Sequence, residues 1–496
     1  MAIMMNNFIH KKESWIIGVL LVVLASAIVY GGMMQEYFLN DDFLVLFAAA
    51  TKGIARDFFP FLSFLPRLLV SVEFFLWKLR PEGYHVVSLV LFVGNALLLY
   101  VLLMKLGGKR VYAGVTSLLF ALYPTQTPLI SSVVEQPLLL ATTFLLGAIV
   151  LYLTSRSTKQ MREKPMRANM LFVCSVLCFL LSALLHPVGL LFVMFVGAAD
   201  AIVVKTKNSL AAYSIVLCTF AISLAMGQRM SRGLGVFWEF IRALPQVFLF
   251  RLFNPAILPR EQLFPYLELF GLLLLIFLVL SLRSLFAVRA KKIRAALSFF
   301  LIWIAGSVCI FFISDARAAI YLISIGWCAM VGFVLTHWKL YILPSRVLRV
   351  VTGVAILLFL GFGAYKNTIP WTQAADVSRD IPEKFEKKFP TIETRTSCYV
   401  LNAPEVVAGI PVYQEGLAES IQLFYMTHQS QPAASRIEIF QVHTGQGSSQ
   451  GSSRMDSKQA AQAIKKDSNR VVIATWNPDT RVFDESFNLD SIKKPW

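Results

Sequence analysis

The sequence predicts a polytopic α-helical membrane protein, about 11 transmembrane helices, with a small soluble α/β domain at its C-terminal end. Three observations carry that prediction. Of 496 residues, 57% are hydrophobic and 15% charged, and mean hydropathy is +0.65, far from the balance of a soluble globular chain. Phe occurs 40 times, mostly in apolar runs long enough to cross about 30 Å of hydrocarbon, for which roughly 20 residues are needed. Past Lys366 the apolar runs shorten to strand length and the charge becomes nearly balanced.

Lys11 and Lys12 precede the first run, 15–33, and place the N-terminus in the cytoplasm. The run is too long for a signal peptide, and no small-x-small cleavage site follows it. Residues 34–83 then form an external loop, too apolar to be free and too broken by Pro60, Pro66 and Pro81 to span. This loop reads as short interfacial helices. In one of them, beginning at Pro66, Arg67, Ser71, Phe74 and Lys78 recur at helical spacing.

Further spans are expected over 84–106, 111–124, up to Tyr152, 169–185, 188–204, 209–226, 266–282, 296–314, 321–338 and 350–365. Basic residues fill the cytoplasmic loops between them, such as Lys109-Arg110, Arg156 to Arg167 and Arg289 to Arg294. The net charge of +17 therefore sets orientation and gives no reason to expect nucleic acid as a partner. One external loop, 227–265, breaks the rule: it holds Arg229, Arg232, Arg242, Arg251 and Arg260 with few acids. A basic cluster on that side needs an anionic partner.

The expected domains are a membrane domain over 1–366 and an extracytoplasmic α/β domain over 367–496. In the latter, 398–401, 437–442 and 471–476 read as strands, 416–427 and 458–466 as helices, and the Gly/Ser stretch 445–453 as a flexible loop. Cys398 alone among six cysteines lies in this domain. Cysteine usage thus supplies no disulfide framework.

The chain is organised around Tyr37 to Phe43, Tyr-Phe-Leu-Asn-Asp-Asp-Phe. Asp41 and Asp42 have just left the first span, flanked by aromatic and aliphatic residues that hold them at the bilayer surface. Asn40 to Asp42 also suit the cap of a helix starting at Phe43. Arg67, Arg251 and Arg317 lie near external boundaries, as do His85 and His186 at span ends; each also has an ordinary use as a snorkelling or locally hydrogen-bonded side chain.

Asn40-Asp41-Asp42-Phe43, followed by Pro66-Arg67, Gly83-Tyr84-His85 and Gly94 to Tyr100, resembles the motif order of the GT-C membrane glycosyltransferases. That group depends on polyprenyl-phosphate sugars and includes the protein O-mannosyltransferases and the lipid A aminoarabinose transferase. Leu119 to Pro124 and Leu139 to Thr142 extend the resemblance. Phe250 to Pro255, Arg317 with Tyr321-Leu322, and Tyr413 to Leu423 match more thinly. Tyr123 stands where relatives often have His, and 131–136 lacks the Gly-Arg-x-Asp of the tetratricopeptide-bearing mannosyltransferases.

The resemblance implies inverting transfer of a sugar from a polyprenyl-phosphate donor to an acceptor hydroxyl of a protein, lipid or glycan, outside the membrane. The odd number of spans leaves the C-terminal domain outside, and the short, tail-poor design points to a bacterial inner membrane with that domain in the periplasm. Such chemistry needs a base for the hydroxyl and neutralisation of the departing phosphate. Asp41 is the candidate base with Asp42 orienting it, since adjacent side chains diverge. Arg67, His85, Arg251 and Arg317 are the candidate phosphate ligands, with Glu135, His186 and Tyr321 as further site candidates. The family leaves a divalent cation, Mg or Mn, open, with Asp41 and Asp42 as its ligands; the chain has no zinc-type His/Cys spacing, and Glu135 and Asp315, the possible extra ligands, are single loop acids of the kind more often solvated or paired with arginine. A flippase of lipid-linked saccharide, or an O-antigen polymerase or ligase, is the alternative, although the spans hold almost none of the mid-membrane charge a transporter uses.

Overall fold

The structure is a computed structural model that describes residues 2–52, 64–156, 163–199, 291–310, 316–337, 346–392, 396–428, 438–443, 454–456, 459–460, 462–463 and 470–484. Its helices are α1 Ala2–Tyr30, α2 Asp41–Lys52, α3 Phe64–Trp77, α4 Pro81–Lys105, α5 Arg110–Ala121, α6 Thr127–Ser131 and α7 Gln136–Ser155, followed by α8 Pro165–Leu185, α9 Leu191–Ala199, α10 Lys291–Ile310, α11 Ala316–His337, α12 Arg346–Lys388 and α13 Leu417–His428. The strands are β1 Thr396–Leu401, β2 Val406–Val407, β3 Ile410–Pro411, β4 Glu438–His443, β5 Arg454–Asp456, β6 Arg470–Asn477 and β7 Val482–Asp484. The chain divides into two compact units.

The first unit comprises Met1–Gly32, Val87–Ile130 and Glu135–Asn367. Six segments among the described residues are long and apolar enough to cross a membrane: Ile16–Gln35, Pro81–Lys105, Val133–Ser155, Pro165–Leu185, Arg317–Thr336 and Val350–Lys388. This is an integral membrane protein. Burial ranks these helices, because 83% of the apolar stretch of Arg317–Thr336 is enclosed by protein against 28% of that of Pro165–Leu185; α11 is the most enclosed of the six, while Met166, Met170, Val173 and Leu177 of α8 stay exposed. Packing is close where side chains are small. Ser175 and Ser182 of α8 donate to the carbonyls of Ala148 and Ala141 on α7, both at 2.7 Å, the kind of polar glue that serves where lipid provides no hydrophobic drive.

The span expected over 111–124 is only the twelve-residue α5, too short to cross alone. Pro124 and Pro128 explain the stop, since a proline lacks the amide that continues a helix. The chain continues instead as a 3-10 turn, Pro124–Gln126, then α6 and a second turn, Val133–Glu135. Span six is seen as far as α9; spans seven and eight, the arginine-rich loop 227–265 and the Gly/Ser stretch 445–453 lie outside the described residues.

The second unit comprises Met33–Val86, Ser131–Val134 and Thr368–Trp496. Its sheet runs β5-β4-β1-β6-β7, with β5, β4, β1 and β6 parallel and β7 antiparallel to β6. Cys398 pairs with Ile439 on one side and Val472 on the other, and all six residues of β1 are buried, as expected of a central parallel strand covered on both faces. The expected strands are present with boundaries moved by a residue or two.

Two features depart from expectation. The external loop 34–83 does form short helices, α2 and α3, but it shares one core with the C-terminal residues: Tyr37, Phe38, Phe43 and Tyr84 cluster with Ile381, Phe385, Tyr413, Ile421 and Trp476. Helix α12 does not end near Tyr365; it continues to Lys388 through Pro370 and Pro382. Proline disfavours a helix interior by removing a hydrogen bond. Here Ala374, Ala375, Val377, Ile381 and Phe385 recur at helical spacing and are all buried in the second unit's core, so tertiary packing outweighs local propensity.

Candidate active site

Asp41 and Asp42 open α2 in different surroundings. Asp42 is 1% exposed. Its Oδ2 accepts from the Leu39 amide at 3.3 Å, and its Oδ1 accepts from the Ser132 hydroxyl at 2.9 Å and the Val134 amide at 3.1 Å. The bond to Leu39 is a reach-back cap of the helix start. Burial pushes the Asp42 carboxyl up to about 6, and the bonds from Val134, Ser132, Leu39 and Val133 oppose that rise. Asp41 is half-buried, and its Oδ1 accepts one bond, from Asn40 Nδ2 at 2.7 Å. Capping and an accessible carboxylate thus coexist, one on each residue.

A third carboxyl, Glu36, lies just before this pair and is 3% exposed. Thr372 of α12 donates to its Oε1 at 2.6 Å, while the buried Oε2 has no hydrogen-bond partner among the described residues. Burial pushes this group up to about 8; the Thr372 bond opposes the shift and the negative charge of Asp376 adds to it. His85 is buried and its Nε2 donates to the Glu36 carbonyl at 2.9 Å. Sequence reasoning passed over Glu36, Ser132 and Thr372. For Glu36 the signal was present, an acid inside the apolar stretch Met33 to Leu39; nothing local marks the two hydroxyls.

The other candidates are distributed as follows. Arg67 is exposed on α3, which packs on α2. In the first unit Arg317 donates to Glu135 at 2.8 Å; the carboxylate is 7% exposed and the guanidinium 39%. Glu135 is thus paired with arginine. Tyr321 is buried, and its hydroxyl accepts from Asn95 Nδ2 at 2.8 Å. His186 ends α8 and caps the following turn, its Nδ1 accepting from the Val188 amide at 3.3 Å. Asp41, Asp42, Arg67 and His85 therefore share the second unit, and Glu135, His186, Arg317 and Tyr321 the first. Arg251 lies outside the described residues.

No protein-family model and no curated protein matches the chain. Among solved structures it is similar to ArnT from Cupriavidus metallidurans bound to undecaprenyl phosphate, at 12% identity and TM-score 0.46, covering 93% of each chain. It is also similar to the Archaeoglobus fulgidus oligosaccharyltransferase tethered with an acceptor peptide containing the NVT sequon, at 11% identity and TM-score 0.45, covering 77% of this chain and 61% of that one. A third is the archaeal oligosaccharyltransferase AglB from the same organism in complex with an inhibitory peptide and a dolichol-phosphate, at 14% identity, TM-score 0.45, 78% of this chain and 62% of that one. The chain spans about three-fifths of the archaeal proteins.

Both oxygens of Asp42 already accept from N–H or O–H donors, and one oxygen of Asp41 faces the Asn40 amide. Among the described residues no three His, Cys, Asp or Glu side chains converge. Mg and Mn prefer near-octahedral oxygen shells, to which Asp41 and Asp42 would be the carboxylates to contribute. The arrangement sets a buried, hydrogen-bonded carboxyl beside a half-buried one.

Proposed function

We propose that this chain is a membrane glycosyltransferase that moves a sugar from a polyprenyl-phosphate donor to an acceptor hydroxyl on the extracytoplasmic face, with inversion. The observation that carries the reading is the asymmetry of the adjacent acids. Asp42 is immobilised by Leu39, Ser132 and Val134, while Asp41 keeps an accessible oxygen. A base must reach its proton donor and hold its geometry. Asp41 removes the proton of the acceptor hydroxyl as that oxygen bonds to the anomeric carbon. The anomeric C–O bond to phosphate breaks on the opposite face, and the polyprenyl phosphate leaves with the electron pair.

The leaving phosphate gains charge, which guanidinium groups neutralise through paired N–H donors. Arg67, in the same unit as Asp41, is assigned that role; Arg251 and Arg317 are the other arginines that the resemblance implies for it. His85 supports the site from behind, because its Nε2 holds the Glu36 carbonyl.

The test uses purified protein, a panel of radiolabelled synthetic polyprenyl-phosphate sugars and a membrane extract as acceptor source. Transfer of label and release of polyprenyl phosphate are expected from the wild type. Asp41→Asn is expected to lose at least about a hundredfold in kcat, and full turnover by that variant removes Asp41 from the mechanism.

A further inference from the structure

Residues 36–43 are stitched along their length to residues more than 330 positions away in sequence. Thr372 donates to Glu36, and Ser378 of the same helix donates to the Phe38 carbonyl at 2.6 Å. The Tyr413 hydroxyl donates in turn to the Ser378 carbonyl at 2.6 Å, and its ring stacks on Phe43 with centroids 5.7 Å apart and planes 17° from parallel. The strongest seam is at Asn40. Its amide donates to the Val412 carbonyl at 2.9 Å, and its Oδ1 accepts from the Glu415 amide at 2.8 Å. Its Nδ2 donates to Asp41 Oδ1 at 2.7 Å.

Both ends of the Asn40 side chain are thereby specified. The oxygen must face the Glu415 N–H and the nitrogen must face the carboxylate, so the amide is a short bridge of fixed polarity. Its backbone sits in the left-handed region at φ +46, which Asn tolerates better than most residues. On the other side Gly416 has φ +83, and a Cβ there would lie 2.6 Å from the Asn40 carbonyl oxygen and 3.1 Å from Phe43 Cβ. The turn at 415–416 is thus shaped to the backbone of the acidic motif.

We propose that the C-terminal module is a positioning element for the acidic loop, acting through Asn40, which orients Asp41. The inference rests on the reading of Asp41 as the base. It gives the module a task within the transfer step. Loss of the Asn40 bridge is expected to lower kcat by about tenfold or more while leaving the donor KM near its wild-type value, because orientation of the base matters after the donor is bound.

Three variants test this. Asn40→Asp retains an acceptor for the Glu415 amide and the left-handed backbone, but replaces a donor to Asp41 with a like charge. The acidic limb of its kcat/KM profile should move up by about one pH unit or more. Asn40→Gly retains the backbone and removes the bridge, and should lose kcat without that shift. Gly416→Ala should lose kcat as Asn40→Gly does, its fold being checked by thermal unfolding. The inference is overturned if Asn40→Asp keeps the wild-type profile and Asn40→Gly keeps full kcat while Asp41→Asn is inactive. Full turnover by Asp41→Asn overturns the base assignment and this inference with it.

Discussion

Glu36→Gln isolates the stability effect of a single buried acid. The carboxyl is 3% exposed, and its pKa stands at about 8 against 4.5 for the free group. Because the folded state holds the proton more tightly, stability is fully present below pH 4.5 and is lost as pH rises through 8. The slope in that window approaches one proton, about 1.4 kcal/mol per pH unit. Asp42, raised to about 6, contributes below that pH, so pH 6 to 8 reports mainly on Glu36, with about 2–3 kcal/mol lost across the two units. Gln is nearly isosteric, and its Oε1 still accepts from Thr372. In detergent, the apparent melting temperature of the wild type should fall from pH 6 to 8, and that of Glu36→Gln should be flatter. Parallel curves would show that Glu36 titrates near its free value and that its burial is relieved by water.

The remaining predictions concern other groups. Ser132→Ala removes the hydroxyl donor to Asp42 and should cost about 1 kcal/mol, read as a lower melting temperature at pH 7; it should also raise the Asp42 pKa further, and an unchanged melting curve would count against that bond. Arg317→Ala leaves the 7%-exposed Glu135 carboxylate without its guanidinium, and a double-mutant cycle with Glu135→Ala should return a coupling of about 1 kcal/mol, with a value near zero refuting the pair as a structural contact. Cys398 is fully buried in β1, and burial pushes its thiol up to about 12, so a membrane-impermeant maleimide should leave it unmodified in folded protein. Thr480→Cys, at an exposed turn, should label in intact spheroplasts once the other cysteines are replaced; labelling only after lysis would reverse the proposed orientation.

The hydropathy profile located α1, α4, α7, α8 and α11 because a membrane helix must be apolar along its whole length, a demand visible in any window of the sequence. The strands β1, β4 and β6 were legible for a similar reason, as buried parallel strands read as short continuous apolar runs. The position of Asp41 and Asp42 immediately after a span singled them out as candidates. Less legible was everything set by distant packing. Nothing near Pro370 announces that α12 continues to Lys388, because the residues that stabilise it there belong to another part of the chain. The different surroundings of the two aspartates depend on Ser132 and Val134, some 90 positions away, and no periodicity links them.

The distance in sequence between Asn40 and Glu415 has a consequence for biosynthesis. The acidic loop leaves the ribosome more than 330 residues before the groups that hold its shape. A nascent chain can therefore insert most of its helices while the loop still lacks its partners, and a product truncated before Thr372 retains both aspartates without the frame that orients them. Proteolysis of pulse-labelled chains should detect this order: protection of the loop would arise only after translation has passed Gly416.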